Sequence, residues 1–250
     1  MAIPIASLAA ATICAGAYLF GGWLESAPRF EGLRRRHEYI SAAAGISVAY
    51  VFIDVLPELE VQRQAVIRAA EGTELLFAEK RIYLLALLSF VVGYGLEHMA
   101  LVTHDRRHAT VAAEKVDAVY WIELVGYAAY SGLIGYLLVH RAGHGSLALG
   151  VYTFAMAVHF LIVDHALTDE LGRSYARRGR WMLAASVLAG WSIGVAMPLS
   201  EVVVARLFAV LAGGVVIAGL RAELPENRQG RFWPFCLAAI VFAVFLAFAH

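Results

Sequence analysis

Charge is scarce in this chain. Asp, Glu, Lys and Arg make up only 16% of its 250 residues and cancel to a net charge of zero, where a soluble domain would carry roughly a quarter. With no basic excess, and with its arginines set in short segments between apolar runs, the chain offers nothing to a nucleic acid. Cysteine is nearly missing too. Cys14 and Cys236 both lie inside apolar stretches, which excludes a disulfide framework and leaves them as small buried hydrophobes. Lysine is limited to Lys80 and Lys115, both at the margins of apolar runs, so a light-driven pump built on a mid-membrane Schiff base is excluded. The basic n-region of a secretory signal is lacking as well, and the apolar stretch 1–20 reads as a retained first helix.

What the chain has in abundance is hydrophobic residues, 61% of the total, with a mean hydropathy of +0.69. The few charges fall in clusters separated by apolar stretches of about 20 residues, the length a helix needs to cross a bilayer core. Hydropathy marks eight spans, at about 2–24, 39–58, 81–103, 117–139, 146–168, 180–198, 202–222 and 232–249. Pro198-Leu199-Ser200-Glu201 separates the sixth from the seventh: a proline that stops one helix, then a Ser-Glu start signal for the next. The expected fold is therefore all-α, a single transmembrane domain over 1–250 with a lipid bilayer as its main partner.

Counting Lys and Arg by loop parity orients the bundle. The loops after spans one, three, five and seven hold 14 of the 20 basic residues. The alternate loops hold Arg63, Arg68, Lys80, Arg81 and Arg141, and Arg206 lies within span seven. Positive charge stays on the cytoplasmic side, so both termini are expected outside. Span two ends in Leu56-Pro57-Glu58 and span seven in Leu224-Pro225-Glu226. On oppositely oriented helices such an echo is what an inverted repeat of spans 1–3 and 6–8 would leave; the plain alternative is that Pro-Glu often closes a helix.

Ionisable groups inside a membrane are costly and mark function by default. Span three carries Glu97 and His98, span four Glu123, and span five His159, Asp164, His165, Asp169 and Glu170. Rotation of about 100° per residue places His159, His165, Asp169 and Glu170 within one arc, with Asp164 on its flank. His165 and Asp169, four residues apart, have a spacing able to chelate a divalent ion. With the orientation above, Glu97, His98, Glu123, Asp164 and His165 fall in the inner half and His159 near mid-membrane. Imidazole with carboxylate suits Zn²⁺ or a similar transition metal rather than Ca²⁺. Hydrogen bonds that merely staple helices are the alternative role for these groups. In the outer half, Asp54, Glu58, Glu201 and Arg206 are expected to include an ion pair of Arg206 with Asp54 or Glu201.

The eight spans, the Leu-Pro-Glu ending and the fifth helix together resemble the ZIP (Zrt/Irt-like) metal-transporter family. Its span-five pattern, like His-Glu-x-Pro-His-Glu-Leu-Gly-Asp, meets His165-Ala166-Leu167-Thr168-Asp169-Glu170-Leu171-Gly172-Arg173 here. The resemblance puts His165, Asp169 and Glu170 where the family's metal ligands stand, while Ala166, Thr168 and Arg173 depart from it. Its span-four pattern, like His-Asn-x-x-Glu-Gly, meets Tyr130-Ser131-Gly132-Leu133-Ile134-Gly135, in which only the final glycine survives. The stretch His159 to His165 is more similar to uncharacterised bacterial ZIP-like membrane proteins, which implies a bacterial inner membrane. The resemblance implies binding or transport of a divalent metal ion as substrate, with no resident cofactor and no catalysis. Glu97, His98 and Glu123 would complete or shuttle for the span-five ligands. Two other functions stay open: an intramembrane zinc-dependent hydrolase, and a ZIP-like structural or regulatory protein that no longer carries ions. Oligomeric state is also open, a homodimer included.

Overall fold

The structure, a computed structural model, describes residues 2–26, 37–69, 75–107, 113–223 and 231–249. Among the described residues the chain is all-helical, with no strand. We label the helices α1 (Ala2–Ser26), α2 (His37–Tyr50, continued by a π-helical turn Val51–Val55 and by Leu56–Arg68), α3 (Leu75–Arg107), α4 (Ala113–Ala142), α5 (Ser146–Ser174), α6 (Arg180–Ala196), α7 (Glu201–Glu223) and α8 (Phe232–Ala249). A second π-helical turn, Tyr175–Gly179, leads from α5 into α6.

Among the described residues four segments are long and apolar enough to cross a membrane: Pro4–Trp23, Ser41–Arg68, Tyr120–Ala142 and Ser146–Thr168. Phe232–Phe248 is a shorter apolar helix. Large apolar side chains also crowd the outer surface. In α8 alone Phe232, Trp233, Val241 and Phe248 are 69%, 72%, 68% and 88% exposed, more apolar surface than a water-facing helix tolerates. The described residues thus have the helices and the apolar surface that suit a membrane.

Helices that gain no hydrophobic drive from lipid associate through small residues and close packing. The closest pairing is α4 with α6, and glycine makes it possible. A Cβ on Gly190 would overlap the backbone of Gly132, and one on Gly135 the carbonyl of Val187. α1 lies against both α5 and α6, presenting Ala10, Ala11, Cys14 and Ala15 as its buried face. A second group gathers α2 with α8 and α7, and α3 with α7. The two groups meet where α2 touches α5 and α4 touches α7.

Two local irregularities have visible causes. Pro57 cannot donate a backbone hydrogen bond, and its ring crowds the preceding turn. The helix widens just before it, with the Leu56 N–H reaching back to the Val51 carbonyl. Near the end of α5, Gly172 takes φ 63°, ψ −143°, a backbone region open to glycine. That break turns the chain so that Arg180, at the start of α6, comes back against α5.

Candidate functional site

At the centre of the bundle, α4 and α5 bring an aromatic and polar layer together. His159 of α5 is 2% exposed and meets the Tyr130 ring of α4 edge-on, with centroids 5.8 Å apart. The Tyr130 hydroxyl donates to the Leu211 carbonyl of α7 at 3.4 Å. On the α1 side, Tyr18 stacks on Phe160 at 4.6 Å, and its hydroxyl shares a 2.9 Å hydrogen bond with Ser131 Oγ. Ser131 also donates to the Tyr127 carbonyl. Among the described residues His159 Nε2 has no hydrogen-bond partner. Glu123, also 2% exposed, lies two turns from Tyr130 along α4, toward the end where α6 begins.

That end holds a buried ion pair. Asp164 Oδ1 accepts from Arg180 Nε at 2.7 Å and from the Tyr175 hydroxyl at 2.8 Å. Thr168 Oγ1 donates to the Asp164 carbonyl at 2.7 Å and accepts from Arg180 Nη2 at 2.9 Å. The guanidinium lies 5.7 Å from the Tyr175 ring centroid, a cation–π contact. α1 seals the cluster: a Cβ on Gly21 would strike the Asp164 carboxylate, and one on Gly22 the Arg180 guanidinium. Only a pair of glycines lets α1 lie this close.

A second cluster closes the opposite end. Arg141, at the end of α4, donates from Nη2 to Asp54 at 2.7 Å and from Nη1 to Glu58 at 3.1 Å. Its guanidinium lies 5.8 Å from the Tyr152 ring centroid, and Gln62 donates to Glu58 at 2.7 Å. This corrects the expected outer-half pair: Asp54 joins Arg141, whereas Arg206 and Glu201 are exposed. The cause is helix length. α4 runs on to Ala142, past the expected end at 139, and so carries Arg141 inward onto the π-helical turn that holds Asp54.

The structure buries several of the expected ligands without gathering them into one site. His159, Asp164 and Glu123 are buried and His165 is half-buried, but among the described residues no three His, Cys, Asp or Glu side chains converge as a metal site. Asp164, expected on the flank of the α5 polar arc, is instead the most buried of these groups and is held by Arg180. His98 is exposed and stacks on Tyr94 at 6.1 Å. The side chains of Glu97, Asp169 and Glu170, and the echo at 224–226, lie outside the described residues. Sequence reasoning missed Arg141, Arg180 and Tyr175. Both arginines stand at the edges of apolar runs, where a charge turned inward and one turned to solvent read alike. Comparison with protein-family models, with curated proteins and with solved structures finds no match for this chain.

Proposed function

We propose that the chain is a ZIP-like membrane protein of eight spans that binds a divalent transition-metal ion, Zn²⁺ or similar, and passes it through the bundle along α4 and α5. The observation that carries this reading is His159. A buried ring nitrogen without a partner costs roughly 1–3 kcal/mol, and an imidazole is a common ligand for such ions. The buried clusters around it favour a cation: Asp54, Glu58, Glu123 and Asp164 outnumber Arg141 and Arg180.

An inverted repeat has support beyond the shared Leu-Pro-Glu. Gly45 stands eleven residues before Leu56, and Gly213 eleven before Leu224. Both glycines are contact points: a Cβ on Gly45 would overlap the Phe235 carbonyl of α8, and one on Gly213 the Ala86 carbonyl of α3. Exchanging α1 with α6, α2 with α7, α3 with α8 and α4 with α5 carries the α2–α8 pairing onto α7–α3, and α1–α5 onto α6–α4. These are among the bundle's most extensive pairings. In inverted-repeat carriers the substrate site lies near the midplane between the repeats, and His159 stands about midway along α5.

Equilibrium binding of Zn²⁺ or Cd²⁺ to the purified protein tests the reading. Stoichiometric binding is expected in the wild type, lost in His159→Ala and weakened in Glu123→Gln and His165→Ala. No binding in the wild type, or unchanged binding in His159→Ala, would overturn it. The Arg180–Asp164 pair favours a second reading, in which the ion is bound but not carried, because Asp164 is already neutralised. Binding without uptake into sealed vesicles is the outcome that selects it.

A further inference from the structure

We propose that the Arg141 and Arg180 clusters are two gates, one at each end of a hydrated path that runs along α5 past His159, and that this structure holds both closed. The proposal rests on the reading that an ion crosses the bundle. The two clusters repeat one composition at opposite ends: a buried arginine, a carboxylate and a tyrosine ring beneath the guanidinium. Each also sits at a π-helical turn, Asp54 within Val51–Val55 and Tyr175 within Tyr175–Gly179. A π turn leaves the backbone less tightly bonded than an α-helix, and such turns cluster where helices must rearrange or bind.

Among the described residues, buried polar atoms without hydrogen-bond partners start within the Arg141 cluster, at Arg141 Nε and Tyr152 OH, and continue inward to Ser47 Oγ and His159 Nε2. Tyr152 and His159 are seven residues apart, so they share one face of α5 about 10 Å apart along its axis. Ser47 stands the same distance along α2 from Asp54, which puts it near the level of His159. Orphan groups of this kind are accounted for by water or a hydrated solute. Their alignment from one arginine toward the other traces a route rather than a single cavity. Beyond His159 the route meets Asp164, whose Oδ1 accepts from Arg180 and Tyr175 and whose carbonyl accepts from Thr168, and Gly21 and Gly22 close the wall.

Thiol accessibility tests the gates without reference to metal binding. Cys14 is fully buried and donates to the Thr153 carbonyl at 3.8 Å, just inside the Arg141 cluster. In the full chain carrying Cys236→Ala, a charged, membrane-impermeant maleimide should leave Cys14 unlabelled from either side of sealed vesicles. Arg141→Gln should raise labelling about tenfold or more from the Arg141 side alone, since losing a charged hydrogen bond shifts a two-state equilibrium by about that factor. For the other gate, Ser131→Cys in a chain also carrying Cys14→Ala and Cys236→Ala is the reporter. Arg180→Gln, and to a smaller degree the milder Tyr175→Phe, should expose it from the opposite side alone. Unchanged labelling overturns the gates, as does two-sided labelling in both Arg180→Gln and Tyr175→Phe, the pattern an unfolded bundle gives. One-sided labelling in a protein that binds no Zn²⁺ would keep the gates and discard the ion.

Discussion

Removing one partner of a buried ion pair strands a charge in a medium that cannot solvate it, and this governs the largest single-residue effects expected here. The side chains of Arg180 and Asp164 are 7% and 1% exposed, so Arg180→Met should destabilise the fold by roughly 3–5 kcal/mol. The double variant Arg180→Met with Asp164→Leu should recover most of that loss, because a well-packed apolar pair avoids the desolvation that the charges incur. By contrast Arg231 and Glu38, paired at 2.6 Å but 61% and 42% exposed, should contribute at most about 1 kcal/mol. Denaturant unfolding of the four proteins in one detergent checks the order; equal losses for Arg180→Met and Arg231→Met would refute it. The same residues show where the sequence was silent. The acids and histidines of span five were legible as a cluster because each is costly within an apolar run. Their partners were not, because Arg141 and Arg180 sit at helix ends. Helical phase alone did not reveal that Asp164, rather than His165, faces the packed interior.

Helix pairing sets the next level. α4 and α6 approach so closely at Gly135 and Gly190 that a side chain has no room, and the seam cannot spread without moving the arms that carry Tyr130 and Arg180. Gly190→Val should therefore cost about 1–3 kcal/mol or more through overpacking. Gly150→Ala provides the contrast, because among the described residues no atom beyond its own stretch of helix lies within 4 Å of the added Cβ. With nothing to displace, it should be neutral or stabilising by up to about 1 kcal/mol, the cost of glycine within a helix. Melting temperatures of the two variants decide the point: Gly190→Val no less stable than Gly150→Ala would mean that the seam is looser than described. The break between α6 and α7 was readable from Pro198, since a helix stop is a local property, but the end of α2 was not, because the helix runs through Pro57 and on to Arg68. The pairings were not, because glycine reads equally well as a helix breaker and as a contact point. Only the backbone that meets each glycine tells the two apart.

At the scale of the whole molecule, the pairing of helices constrains topology. α1 begins at the Arg141 end, where Ser7 accepts from Trp191 Nε1 of α6 at 3.0 Å. α8 begins at the other end, where the backbone N–H of Arg231 donates to Ser41 at the start of α2 at 2.9 Å. α8 therefore finishes at the end where α1 began, and an even number of crossings follows if every helix spans. Positive charge kept on the cytoplasmic side then predicts that this shared end lies outside. Alkaline phosphatase fused to either terminus should be active in intact cells, and a fluorescent protein that matures only in the cytoplasm should stay dark at both. Opposite results at the two termini would break the even count and with it the inverted repeat, since the exchange of α1 with α6 and α2 with α7 requires every one of those helices to cross. Activity of the cytoplasmic reporter at both ends would instead keep the repeat and invert the bundle, placing the Arg180 cluster on the outer face and reversing the side from which each gate opens.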